Sequence, residues 1–329
     1  MKKKTKNAAA FVIVIALLAA LFIAAVNTGS IKVTYPELIR GIFFEHNESV
    51  SAIVDLRFPR IIISILAGAA LAVSGVMLQS VLKNPLADPG ILGISSAASF
   101  VSTLIIAFFP MLFFLTPIFA FLGGIAACAL VYSLSYKNGF SPLRIILVGV
   151  AVNSLFSGLS SAFAAMGQSF AGASATADAS IAMKTWDDVK LLAIYTAIGL
   201  AGSFALSKSC NLMALEDKTI KGLGVNVNAL RILISCAAVL LASITTAVAG
   251  AISFVGLIVP HIGRLIVGSE HKALIPFSAF LGALTLLAAD TIGRVIAYPY
   301  EISPAIIMSV IGGPFFIILL KRSDKNYGN

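Results

Sequence analysis

The chain has 329 residues, of which 59% are hydrophobic and 11% are charged, and its formal net charge is +9. Soluble domains carry about 25% charged residues, so this composition excludes a water-soluble globular protein and indicates a polytopic membrane protein. The positive charge does not indicate nucleic-acid binding, because the sequence contains no basic patch interleaved with aromatic residues.

The first apolar stretch follows a lysine-rich start and extends from Ala8 to Val26. The apolar region of a signal peptide has about 7–15 residues, whereas a membrane-spanning helix needs about 20. We therefore interpret this stretch as a retained first span.

Ten apolar stretches of bilayer length predict an all-α integral membrane protein with one transmembrane domain over residues 1–329. They lie near residues 8–28, 58–82, 93–109, 111–134, 142–165, 189–208, 230–249, 251–268, 275–297 and 303–321. Only Pro110 divides the third span from the fourth, and only Gly250 divides the seventh from the eighth; both are residues that usually end helices.

The distribution of positive charge predicts the orientation. With the N-terminus inside, sixteen of the 23 Lys and Arg residues fall on the inner side and seven on the outer side. Because inner loops carry the excess of Lys and Arg, we expect both termini in the cytoplasm.

A short internal similarity links the second and seventh spans. The sequence RIIIS begins at Arg60 and RILIS begins at Arg231. In the ten-span topology these motifs start on opposite sides, as in an inverted repeat of spans 2–5 and 7–10. Chance similarity between apolar segments is the alternative.

Three arginines lie at the outer ends of spans, where positive charge is disfavoured: Arg57, Arg60 and Arg294. They could dock a partner protein. Alternatively, they could extend to lipid headgroups, and Arg294 could pair with Asp290, four residues earlier on the same helix.

The inner segment 209–228 is the second candidate site. Its apolar residues Leu212, Leu215, Ile220 and Leu223 could line one side of short helices. An ordinary connector is the alternative, but an exposed apolar strip in a polar loop favours a protein partner.

Two further motifs are interpreted as structural. The turn after the second span contains Asn84, Pro85, Asp88, Pro89 and Gly90, and it breaks the chain between spans 2 and 3.

In the eighth span Pro260 predicts a kink, and His261 is expected to hydrogen-bond a carbonyl that the kink frees. The three cysteines are widely spaced, and no ligand cluster is present, so we expect no metal site.

The sequence contains no phosphate-binding loop, nucleophile elbow or zinc-protease motif, so we expect no catalytic residues and no ATPase site. Ionisable residues in mid-membrane are also scarce, which disfavours the ion-gradient-driven secondary transporter that an inverted repeat would suit. A membrane enzyme or scaffold is a further alternative, which no motif favours. The energy source is therefore expected on another chain.

The segment from Arg57 to Ser96 and the segment SFVGLIVPHIGRL at 253–265 resemble the FecCD-type permeases of type II ATP-binding cassette (ABC) importers. Similar motifs follow in LLAADTIGR and in the last span, so the resemblance covers nearly the whole chain. That family imports ferric siderophores, haem or vitamin B12 through the cell membrane.

The resemblance implies a multi-pass permease with three kinds of protein partner: a second permease subunit, identical or paralogous, two ATPase subunits that carry ATP and Mg, and an extracytoplasmic substrate-binding protein. Membrane lipid surrounds the assembly. Ferric siderophore is the first expectation for the cargo, and haem and cobalamin are the alternatives.

The resemblance also implies roles for individual residues. Arg57, Arg60 and Arg294 match the positions that meet acidic residues of the binding protein, and Asn153 resembles a polar position of the translocation path. The ATPase-coupling positions are Ala214, Leu215, Asp217, Leu223 and Gly224. The sequence departs from the family pattern at Glu216, where Gly is usual, and at Lys218, where an acid is usual.

Overall fold

The computed structural model describes residues 2–29, 33–43, 47–136, 142–170, 181–297 and 300–327. Regular structure in these ranges is helical, and the predicted all-α membrane fold is confirmed. The ten longer helices are α1 (Lys2–Asn27), α2 (Phe58–Leu82), α3 (Ile94–Phe108), α4 (Thr116–Ser135), α5 (Pro142–Phe170), α6 (Trp186–Ala205), α7 (Val227–Ala249), α8 (Val255–Val267), α9 (His271–Ile296) and α10 (Pro304–Tyr327).

Shorter helical pieces connect them. They are Tyr35–Phe43, Glu48–Ala52, the π-helical turn Ile53–Arg57, the 3-10 turns Pro110–Leu115 and Ile181–Met183, and the helices Ser207–Met213 and Asp217–Gly222. Each predicted span overlaps one of the ten longer helices. Eight helical stretches in the described ranges are long and apolar enough to cross a membrane, while α3 and α8 are apolar but shorter.

Helix α2 lies at the centre of the bundle, and 21 of its 25 residues are buried. Glycines allow neighbouring helices to approach it closely. A Cβ atom on Gly68 would lie 2.2 Å from the carbonyl oxygen of Gly282 in α9, and one on Gly75 would lie 2.0 Å from that of Gly256 in α8. Close backbone contact of this kind is how small residues hold helices together in lipid.

The chain between α7 and α8 is not helical. Gly250 ends α7 at a φ of 82°, and Phe254 precedes α8 at a φ of 70°, a value that is rare for a residue with a side chain. With 13 residues and a rise of about 1.5 Å per residue, α8 is about 20 Å long and is too short to cross a hydrocarbon core of about 30 Å.

Candidate functional sites at the two ends of helix α2

Five charged residues meet at the N-terminal end of α2, and we call them the arginine cluster: Arg57, Arg60, Asp290, Arg294 and Glu301. Arg60 donates from Nε to Asp290 at 2.9 Å and from a terminal nitrogen to Glu301. Arg294 Nε lies 3.3 Å from the other oxygen of Asp290, its i,i+4 neighbour. Arg60 and Arg294 are buried, whereas Arg57 is half-buried.

Two of these arginines also bind the C-terminal end of α1. Arg57 donates to the carbonyl oxygen of Val26 at 2.9 Å, and Arg294 donates to that of Ala25 at 3.1 Å. The last carbonyls of a helix have no helical donor, and its C-terminal end favours positive charge. Gly29 allows this approach, because a Cβ atom there would lie 2.6 Å from the Arg57 guanidinium.

The three predicted docking residues are therefore close together, but they also bind within the chain. The i,i+4 pair between Asp290 and Arg294 is present. The carboxylate of Glu301 was not singled out from the sequence, since its partner Arg60 lies 241 residues earlier. Its place three residues before Pro304, the first residue of the last helix, was the available signal.

At the opposite end of α2, Asp217 of the coupling segment (residues 209–228) bridges two helices. Its carboxylate accepts hydrogen bonds from Lys83 at 3.1 Å and from Arg231 at 2.9 and 2.8 Å. Lys83 follows α2 in the left-handed conformation and also bonds the carbonyl oxygen of Leu215. Burial alone would raise the pKa of Asp217, but the hydrogen bonds and charges of Lys83 and Arg231 lower it below its ordinary value.

The remaining predicted coupling residues are exposed. Leu215 is 40% exposed and Leu223 is 61% exposed, and Ala214 is exposed beside them. Gly224 has a φ of 76°, and a Cβ atom added there would meet no atom within 4 Å. Ile220, expected on the same strip, is instead fully buried, so the exposed apolar surface is smaller than the sequence suggested.

The turn between α2 and α3 (residues 83–93) binds the start of α8. Asp88 is buried, and its carboxylate accepts hydrogen bonds from the backbone N–H groups of Gly90 at 2.8 Å and of Ile91 at 3.3 Å. The N–H groups of Phe254 and Gly256 also bond it. Burial raises the pKa of Asp88 to about 6, although the hydrogen bonds from these four N–H groups act to lower it.

The other members of this turn shape it. The side-chain oxygen of Asn84 accepts a hydrogen bond from the N–H of Leu86 at 3.0 Å, two residues before Asp88. Pro85 lies between Asn84 and Leu86 in the chain. The carbonyl oxygen of Pro89 accepts a hydrogen bond from the first N–H of α3 at 3.1 Å. A Cβ atom on Gly90 would lie 2.8 Å from the hydroxyl of Ser253, so the turn contacts the segment before α8 closely.

Pro260 lies inside α8 and has no N–H for the carbonyl four residues earlier, that of Gly256. Gln79 of α2 supplies the missing donor, with its Nε2 3.0 Å from that oxygen. The Oε1 of Gln79 accepts from Arg264 at 2.6 Å. The freed carbonyl thus has a donor in Gln79. The His261 ring packs edge-on against Phe315 at 5.7 Å.

Asn153 lies on α5 and is half-buried, and its backbone nitrogen would lie 2.8 Å from a Cβ atom on Gly93. Much of the helix around it is exposed, including Leu155 and Leu159. In the ranges that the structure describes, no group of three or more His, Cys, Asp or Glu residues could hold a metal ion.

Comparison with known proteins gives concordant matches. The model of the FecCD transport family matches residues 17–322. The "Probable heme-iron transport system permease protein IsdF" of Staphylococcus aureus strains MSSA476 and Newman is 38% identical over 326 residues, which are 99% of this chain and 99% of that protein.

Two solved structures are similar as well. A metal-chelate type ABC transporter in an inward-facing conformation matches with a TM-score of 0.77 and 28% identity, over 96% of this chain and 99% of that chain. PsaBC from Streptococcus pneumoniae, solved in complex with Fab, matches in fold alone, with a TM-score of 0.56 and 17% identity over 87% of this chain and 95% of that chain.

Proposed function

This chain belongs to the FecCD transport family and is the multi-pass permease of an ABC importer, and we propose that it carries haem iron through the cell membrane. The observation that carries the choice of cargo is the full-length 38% identity to a probable haem-iron permease. It favours the haem alternative over the ferric siderophore that was our first expectation. The family assignment also replaces the secondary-transporter, enzyme and scaffold alternatives.

Transport needs energy that this chain is not expected to supply, since its sequence has no phosphate-binding loop. We assign ATP and Mg to two separate ATPase subunits. Their docking surface is the exposed part of the coupling segment, around Leu215 and Leu223. Apolar side chains exposed beside Glu216 and Lys218 are better suited to a protein partner than to lipid.

The coupling segment is tied to the rest of the permease by Asp217. A push on Leu215 or Leu223 is transmitted to α2 through Lys83 and to α7 through Arg231. Because Asp88 joins the turn after Lys83 to the start of α8, the same displacement reaches a third helix. Asp217 therefore acts as a positioning residue, while the exposed leucines contact the ATPase.

The arginine cluster lies at the other end of α2 and, with both termini in the cytoplasm, faces outward. Its three guanidinium groups suit the carboxylates of a substrate-binding protein, because charge-assisted pairs with arginine are strong and directional. Arg57 is the most accessible of the three. The cargo would be delivered at this end and released at the end of the coupling segment.

A second permease subunit, identical or paralogous, would complete the translocation path. The support is the exposed surface of α5, where Asn153, Ser154 and Ser157 place weakly polar groups among apolar ones. Such a surface binds a rigid haem group loosely, so selectivity would reside in the binding protein. The iron is cargo and needs no protein ligand in this chain.

The test is uptake by proteoliposomes that contain the permease with its ATPase subunits, supplied with binding protein loaded with haem, a ferric siderophore or cobalamin. We expect haem uptake that requires ATP inside the vesicle and persists with a protonophore. Uptake driven by an ion gradient without ATP would contradict the importer. ATP-dependent uptake of a siderophore or cobalamin but not of haem would contradict the proposed cargo.

A further inference from the structure

The arginine cluster contains more positive than negative charge. In the described part of the chain, three guanidinium groups share two carboxylates, Asp290 and Glu301, and no carboxylate lies within ion-pair distance of Arg57. Arg57 is bonded instead to a backbone carbonyl. The cluster can therefore accept one further carboxylate without an excess of negative charge.

The two carboxylates differ in accessibility. Asp290 is fully buried on α9 between Arg60 and Arg294, at 2.9 and 3.3 Å from their Nε atoms. Glu301 lies in the non-helical segment 300–303 directly before α10, and 47% of its side chain is exposed. Removing Asp290 would leave buried charge without a partner, which is costly. Glu301 can turn into water at a much smaller cost.

Glu301 is also positioned to affect several members of the cluster. It bonds Arg60 directly, and its charge acts on Arg57 and on Arg294. The neighbouring residue Ile302 donates its N–H to the carbonyl of Gly293 at 3.0 Å, next to Arg294. A displacement of Glu301 would therefore pull on the end of α9 and on the start of α10.

We propose that Glu301 is an exchangeable internal ligand of Arg60, which a carboxylate of the docking binding protein replaces. Between docking events Glu301 neutralises the guanidinium, so that Arg60 does not attract other anions. On docking, the external carboxylate takes the place of Glu301 at Arg60, and the Glu301 side chain turns out into water. The proposal rests on the proposed function and adds the residue with which the partner must compete.

The test compares Glu301→Gln with Asp55→Asn. Asp55 is exposed two residues before Arg57, forms no ion pair with the residues that the structure describes, and its substitution makes the same change in net charge. The probe is the loaded binding protein that supports uptake by the wild-type complex. Its affinity for permease–ATPase complexes in nanodiscs is measured at several salt concentrations.

We expect Glu301→Gln to bind the probe about threefold to tenfold more tightly than Asp55→Asn. While Glu301 occupies Arg60 the external carboxylate cannot bind there, so the apparent affinity for the probe is reduced in proportion to the free fraction of Arg60. Equal affinity in the two variants, or weaker binding by Glu301→Gln, would overturn the proposal.

If Glu301→Gln does not assemble, Glu301→Asp serves in its place, because it keeps the charge but shortens the side chain. Tighter binding than wild type supports the proposal, and unchanged or weaker binding overturns it. A wild-type complex that takes up no cargo with any binding protein would contradict the proposed function itself, so the two failures are distinguishable.

Discussion

Ion pairs fix both ends of α2. Arg60 in its first turn bonds Asp290, and Lys83, directly after its last residue, bonds Asp217. The first pair is buried, whereas both members of the second are partly exposed. Removing one partner of a buried pair is far more costly than weakening an exposed one. Substitutions at Asp217 and Arg57 can therefore report on function without unfolding the chain.

At Asp217 we expect the Asn variant to lower uptake per ATP hydrolysed severalfold while ATP hydrolysis itself continues. The amide cannot hold Lys83 and Arg231 by charge, so motion of the coupling segment is transmitted less completely to α2 and α7. The measurement is the ratio of uptake to ATP hydrolysis in proteoliposomes. Glu270→Gln, an exposed carboxylate outside the coupling segment, makes the same change in net charge and is the control. Equal ratios in the two variants would exclude the positioning role.

At Arg57 we expect Arg57→Glu to weaken binding of the binding protein by about tenfold or more, because it replaces an accessible guanidinium by a charge that repels the partner. Arg40→Glu, an exposed position on the helix Tyr35–Phe43, is the control for net charge. Arg60 is unsuitable for charge reversal, since a glutamate there would face the buried Asp290. Equal losses in both variants would argue against docking at Arg57.

At the scale of the element, α8 depends on groups outside its own sequence. Asp88 bonds the N–H groups at its start, and Gln79 bonds the carbonyl that Pro260 leaves free. A helix of 13 residues with an internal proline has few hydrogen bonds of its own. The conformation of α8 is therefore set by α2 and by the turn that follows it.

Removal of the Asp88 carboxylate should destabilise the protein more than removal of an ordinary helix cap. In Asp88→Ala several buried N–H groups lose their acceptor, which lowers the free energy of unfolding by about 1–3 kcal/mol. In Asn226→Ala the exposed first N–H groups of α7 can bond water, and the cost is about 1 kcal/mol or less. Melting temperatures of the two variants in detergent test this difference, and a smaller shift for Asp88→Ala would contradict the cap.

The link between Gln79 and Pro260 can be tested by a double-mutant cycle. Gln79→Leu should destabilise the wild-type chain, since the carbonyl of Gly256 loses its donor. In a Pro260→Ala background the new N–H can bond that carbonyl, so the same substitution should cost about 0.5–1.5 kcal/mol less. The free energies of unfolding of the wild type, the two single variants and the double variant, measured in detergent, give the coupling energy between residues 79 and 260. If the two substitutions are strictly additive, Gln79 does not compensate for Pro260.

At the scale of the whole molecule, α2 organises the bundle because its small residues let α8 and α9 pack against its backbone. The two shorter helices, α3 and α8, each follow the helix that carries the RIIIS or RILIS sequence. Arg60 and Arg231, the first residues of these sequences, each bond a carboxylate. These correspondences favour an internal repeat over chance similarity.

The space around Gly68 and Gly202 predicts different effects of replacing each glycine by alanine. Gly68→Ala places a methyl group 2.2 Å from a backbone oxygen of α9 and should cost about 1–3 kcal/mol. Gly202→Ala in α6 meets no atom within 4 Å, so the better helix propensity of Ala should leave stability equal or higher. Melting temperatures measured in detergent test this prediction. If Gly68→Ala leaves the melting temperature unchanged, the close approach of α2 and α9 at Gly68 is contradicted.

Several features could be predicted from local sequence alone. The third and fourth spans are separated at Pro110, and the seventh and eighth at Gly250, because Pro and Gly commonly end a helix where two apolar stretches meet. The buried Ile220 was assigned to the exposed strip because periodicity identifies one apolar face of a helix but not whether another helix covers it.

By itself the sequence determined the class of protein, the approximate positions of the ten helices and the family, because apolar length and contiguous motifs are local properties. Only the tertiary structure decided that Arg60 bonds Asp290 and Glu301, that Asp217 holds Lys83, and that Gln79 completes α8. Those partners are 230, 241, 134 and 177 residues apart in the chain. Which polar groups meet across such separations depends on how the helices pack, and packing is a property of the whole bundle.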